Sequence, residues 1–143
     1  MTTVRQLINR KGGALWSIAP EASVYEAIET MAEHGVGALP VIDAGQLAGI
    51  VSERDYARKV ILQGRSSRDT AVHEIMTTRV VTTTPSQTVD ECMGTMTDRR
   101  IRHLPIVEAG RVVGMISIGD VVKAIIAEKQ SHIEQLETYI ASG

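Results

Sequence analysis

A chain of 143 residues with 43% hydrophobic and 22% charged residues carries enough apolar material for a packed globular core. Its net charge of −2, its dispersed basic residues and its lack of Phe argue against a nucleic-acid binder, which needs a basic surplus or exposed aromatics. The lone Cys92 excludes an internal disulfide framework and a cysteine-built zinc site, and no apolar run has bilayer length or the form of a signal core, so the cytoplasm is the expected location.

In chain order, Val4–Ile8 reads as a short helix and Leu15–Ile18 as a β-prone run ending at Pro20. Val24, Ala27, Ile28 and Met31 recur at helical spacing behind Ser23, which stands where an N-cap belongs. Two apolar strands, Ala38–Ile42 and Leu47–Val51, flank the hairpin connection Asp43-Ala44-Gly45-Gln46, and a second helix opens at Ser52. Gln63–Thr70 is a polar linker.

The order then repeats. A short helical segment, Val72–Met76, precedes a β-prone run, Val80–Thr83. Thr88 caps a helix with Val89, Cys92, Met93 and Met96 on its apolar face, which makes Cys92 a buried, inert thiol. Strands follow at His103–Val107 and Val112–Ser117, and a helix opens at Ser117. A shift of 65 residues lays Pro20–Tyr56 on Pro85–Val121 without gaps, with 12 identities in 37 positions. The fold class is therefore α+β, with two β-α-β-β-α units. By chain position, residues 1–66 form the first unit with its leading helical segment, 67–127 the second, and 128–143 a helical extension. Along that last helix Val122, Ile125, Ile126, Ile133, Leu136 and Ile140 make an apolar stripe, which either folds back on its own module or forms a dimer contact.

The segments VGALPVIDAGQLAGIVSERD (Val36–Asp55) and IRHLPIVEAGRVVGMISIGD (Ile101–Asp120), with TTTP at Thr82–Pro85, resemble the CBS domain, and the tandem resembles a CBS pair or Bateman module. The likeness covers residues 1–127. It implies side-by-side units with pseudo-twofold symmetry, and the apolar spacing past Asp120 adds a long C-terminal helix after them. It also implies two clefts that hold AMP, ADP, ATP, NAD or S-adenosylmethionine, and a homodimer shaped as a disc of four units.

The Ser-x-x-Asp corners, Ser52 to Asp55 and Ser117 to Asp120, have the form of capping boxes at helix starts. The same corner can offer a hydroxyl and amides to phosphate, and a carboxylate to a ribose diol. Their occurrence at matched positions favours ligand binding, with capping as well. Arg54 and Arg102 are phosphate candidates by guanidinium chemistry, ahead of Arg99 and Arg100, which stand at a helix end. The resemblance assigns base- and ligand-facing positions to Ile18, Ala19, Val24, Gly37, Ala38, Thr82, Thr84, Leu104 and Pro105, with His103 beside the cleft. It pairs Asp55 with Thr82 and Thr84, and Asp120 with Ile18 and Ala19. Gly119 replaces Arg54 beside Asp120, and Ala19 replaces Thr84, so the Asp120 cleft is the weaker of the two.

The four histidines, His34, His73, His103 and His132, have no metal-ligand spacing, and neither a Walker loop nor a nucleophile elbow occurs. The expectation is a nucleotide-sensing regulatory module without catalysis, catalytic cofactor or membrane contact, acting on a protein partner. A dimeric scaffold with empty clefts is the alternative.

Overall fold

The structure is a computed structural model that describes residues 1–12 and 14–142. Each unit is built on one helix and one hairpin. In the first, α2 (Val24–His34) is capped by Ser23 and ends at Gly35, whose φ of 63° is left-handed. Strands β1 (Ala38–Asp43) and β2 (Gln46–Ser52) pair antiparallel across Ala44 and Gly45, both with positive φ as a two-residue turn of this twist requires. Helix α3 (Glu53–Tyr56) follows and widens at once into a π-helical turn, Ala57–Ile61.

The second unit repeats this. Its α4 (Val89–Arg99) has a capping box of Thr88 and Glu91, and β3 (His103–Glu108) pairs with β4 (Arg111–Ser117) in the same register, with an irregularity at the matching place. Helix α5 then runs from Ile118 to Ser142. The two β-prone runs ahead of the units are shorter than expected: each is reduced to a single parallel bridge, Ile18 to Val41 and Thr83 to Ile106. Pro40 and Pro105 lie beside these bridges, accept one bond each through their carbonyls, and have no N–H to extend the ladder.

The helical segments ahead of the units change places. The first of them, α1 (Val4–Lys11), stands next to the first unit in the chain, yet Val4 and Leu7 are buried with Val89, Cys92, Met96 and Leu104 of the second. Val72 and Ile75 in turn sit with Val24, Met31, Leu39 and Val51 of the first. Matched backbone bonds fasten both: Val4 N to Gln87 O and Val89 N to Thr2 O on one side, Val72 N to Ala22 O and Val24 N to Thr70 O on the other. Fully burying a side chain such as Val4 or Leu7 is worth about 1.5–3 kcal/mol, so the exchange ties two separate cores into one module. Glycine marks each crossing. A side chain at Gly49 would run into Met76 and Thr77, and one at Gly114 would meet Ile106 and Ile8.

Helix α5 does not fold back. Beyond Ala124 none of its described residues is buried: Ile125 still packs against the second core, whereas Ile126, Ile133, Leu136 and Ile140 are exposed. No helix among the described residues is long and apolar enough to cross a membrane.

Candidate functional site

Both strand-to-helix corners form capping boxes. At the first, Asp55 N donates to Ser52 Oγ (3.2 Å), and Ser52 donates its amide and its hydroxyl to Asp55 Oδ2, both at 3.0 Å. Lys59, one turn on, reaches Asp55 Oδ1 at 3.1 Å and donates to the Ile75 carbonyl at 2.8 Å. At the second corner Ser117 N donates to Asp120 Oδ2 (2.9 Å) and Asp120 N to Ser117 Oγ (3.2 Å). Here the lysine comes from elsewhere: Lys11, at the end of α1, donates to Asp120 Oδ2 at 2.7 Å and to the Met115 carbonyl at 3.2 Å. Burial pushes the Asp120 carboxyl up, but the Lys11 and Ser117 hydrogen bonds outweigh it and hold the group below the usual carboxylate range. The carboxylate oxygens keep lone pairs beyond the capping contacts, so capping leaves acceptor capacity at Asp55. Lys59 holds Asp55 and Lys11 holds Asp120 in the same way, and the Asp55 side chain is the less exposed of the two.

The surroundings of the two corners differ more than the corners themselves. Beside Asp55 lies an open cleft of about 800 Å³ between the units. One wall is β2, α3 and the π-helical turn after it, with Ile50, Ser52, Glu53, Arg54 and Arg58. The facing wall comes from the second unit and the segment before it: Thr77, Arg79, Val80 and Val81, then Arg100, Ile101, Arg102 and His103. Ile50, Val80, Val81 and Ile101 are apolar and could bracket a flat base, with Gly37 at their edge. Five arginines share the same space. None of the five takes part in an ion pair among the described residues, whereas Arg5 and Arg65 are paired with Glu108 and Glu74. A hollow of about 10 Å³ lies between α1 and β4 against Ile8, Lys11 and Met115, and neither Ser117 nor Asp120 lines it.

The cleft brings together Gly37, Ser52, Arg54, Asp55, Arg102 and His103 of the residues singled out from sequence. Others lie elsewhere. The side chains of Val24, Ala38, Leu104 and Pro105 are buried in the two units, which leaves only their backbone to offer a ligand. Thr82 and Thr84 are exposed and do not line the cleft, and the Thr84 hydroxyl lies 3.2 Å from that of Ser86. Ile18 packs at the margin of the first core and Ala19 is exposed, so neither lines a cleft. Ser117 and Asp120 meet each other outside the large cleft, where Lys11 reaches Asp120.

Arg58, Arg79 and Arg100 are the residues that sequence reading underrated, and the repeat held the signal. Counted 65 residues apart, the five cleft arginines at 54, 58, 79, 100 and 102 face Gly119, Lys123, Ala14, Gly35 and Gly37 in the sister unit. At four of these five positions the arginine has an uncharged counterpart, and Arg58 alone has a cation, Lys123, as its match. His103 bridges the two sides. Its ring stands 3.6 Å from where a side chain at Gly37 would begin. Burial lowers its pKa, Asp120 opposes that, and Lys11 and Arg102 add to it. Cys92 is buried as expected, and burial pushes its thiol pKa up.

The CBS-domain family profile matches residues 4–61 and again 72–127. A mitochondrial CBS domain-containing protein of Arabidopsis thaliana, CBSX3, is 43% identical over 99% of this chain and 73% of its own. Among solved structures, a CBS-domain protein of Burkholderia ambifaria MC40-6, considered a signal-transduction protein, is 52% identical over 88% of this chain and 95% of its own, with a TM-score of 0.84. A hexameric CBS-CP12 protein from bloom-forming cyanobacteria is 26% identical, with a TM-score of 0.76 over 85% of this chain and 71% of its own.

Proposed function

This chain belongs to the CBS-domain family, as a tandem pair of regulatory modules, and from that premise we propose that it senses an adenine nucleotide bound in the Asp55 cleft. One observation carries the reading: unpaired guanidiniums and an apolar slot converge on one open space, next to a carboxylate with acceptor capacity to spare. Guanidiniums left without partners are suited to phosphate, which they grip through paired N–H groups. The apolar slot suits a base, and Asp55 suits a ribose hydroxyl. Because the walls come from both units, a ligand that fits one inter-unit angle better than another would shift the module toward it.

Thermal unfolding with AMP, ADP, ATP, NAD and S-adenosylmethionine tests this. A ligand at a hundred times its dissociation constant adds about 2.7 kcal/mol, which is several degrees for a chain of this size. The shift is expected with an adenine nucleotide and absent in Arg102→Ala and Asp55→Ala. Unchanged melting with every one of them would leave the scaffold reading in place.

We also propose that the module self-associates. Ile61 and Ile126 occupy the same repeat position and are 55% and 62% exposed, so the helices that close the two units present matched apolar faces. Ile133, Leu136 and Ile140 carry that face outward along α5. The cyanobacterial relative is hexameric, in keeping with assembly in this family.

A further inference from the structure

Resting on the nucleotide reading above, we infer that the ligand carries two or more linked phosphates and binds once per chain. The charge of the cleft is the first ground. Arg54, Arg58, Arg79, Arg100 and Arg102 line it, against the carboxylates of Glu53 and Asp55, and Lys59 already neutralises Asp55. A monophosphate carries at most about two negative charges, and its three free oxygens engage two guanidiniums at best in the two-pronged manner. That leaves a surplus of mutually repelling cations in an otherwise acidic protein. A diphosphate or triphosphate chain adds charge and oxygens along a line, and a cleft with arginines on both walls can follow it.

The second ground is backbone conformation. Arg100 ends α4 with φ 55°, in the left-handed region, where the sister helix ends in Gly35 at φ 63°. Glycine takes that conformation at no steric cost, and arginine does not. A strained arginine in a glycine position, with its side chain on the cleft, is accounted for by what the guanidinium does there.

The sister side supplies an internal control. It holds one cation, Lys123, at the five matching positions. The cations that would hold linked phosphates stand on one side only, hence a single ligand per chain.

Calorimetric titration of the full chain with AMP, ADP, ATP and inorganic triphosphate tests the inference. ADP and ATP are expected to bind about tenfold or more tighter than AMP, at one per chain. Arg58→Ala and Arg79→Ala are each expected to weaken ATP by about tenfold and AMP by much less, as loss of a charge-assisted contact implies. Arg100→Gly is expected to raise the melting temperature of the free protein while weakening triphosphate binding, a pairing that a purely structural arginine would not produce. AMP binding as tightly as ATP, or two ATP per chain, overturns the inference and leaves the nucleotide reading standing. Inorganic triphosphate binding with no response to any adenine nucleotide does the reverse. No binding of any of the four overturns both.

Discussion

Replacing Gly49 by alanine tests the crossing that positions one wall of the cleft. A Cβ there would lie 2.7 Å from the Thr77 carbonyl oxygen and 2.8 Å from Met76 Sδ, where ordinary contact begins at 3.4 Å. The thioether is flexible and can move aside. The carbonyl cannot do so freely, because Thr77 and Ile50 exchange two backbone hydrogen bonds, at 2.9 and 3.0 Å. Relief therefore means displacing the segment by more than half an ångström or stretching those bonds, each worth about 0.5–1.5 kcal/mol. Overpacking of this kind costs about 1–3 kcal/mol. A loss of about 2 kcal/mol lowers the melting temperature by roughly 4–8 °C for a chain of this size. Because Thr77 leads into Arg79, Val80 and Val81, triphosphate affinity is expected to fall as well. Two other glycines calibrate the measurement. A Cβ at Gly37 meets nothing closer than 3.4 Å, so Gly37→Ala is expected within about 0.5 kcal/mol of the parent. Gly94 lies within α4 with open space around it, so Gly94→Ala is expected to stabilise by about 0.5–1 kcal/mol. Urea and thermal unfolding of the three variants decide the matter. A Gly49→Ala protein as stable as its parent would refute the close crossing.

Lys11→Ala leaves Asp120 without its cation, and the loss at neutral pH is expected to be small, about 0.5–1 kcal/mol, because the pair is partly exposed. Since Asp120 has a depressed pKa in the folded state, its contribution is present above the ordinary carboxylate range and disappears as pH falls through the folded value. The difference between Lys11→Ala and its parent should therefore vanish in acid unfolding experiments. His103 is held below its ordinary pKa chiefly by burial, so the unfolded chain binds the proton first and stability declines as pH drops below about 6.5. His103→Gln is expected to flatten that decline, and an unchanged pH profile would remove His103 as its source. Ile133→Glu with Leu136→Glu should shift sedimentation toward the monomer without lowering its melting temperature, since both side chains are exposed within the protomer.

The sequence by itself determined the units and their internal order. Hydrophobic period, Ser23 and Thr88 as caps, and the two Ala-Gly turns are local signals, and their recurrence at 65 residues made the duplication legible. It also located the Ser52–Asp55 and Ser117–Asp120 corners, because a capping box is written within four residues. Tertiary structure alone decided which core α1 joins. Val4 and Leu7 are apolar enough for either unit, and only the fit of Ile8 over Gly114 and the bonds to Gln87 and Pro85 choose the second. That choice carries Lys11 to Asp120, whereas Asp55 takes its lysine, Lys59, from the turn that follows it. Arg54 and Arg102 were legible as phosphate candidates, but Arg58 and Arg79 were beyond local reading for the same reason. Arg58 and Arg79 look like solvated charges along the chain, and they become neighbours of Arg102 only when two units and a crossing segment close around one space.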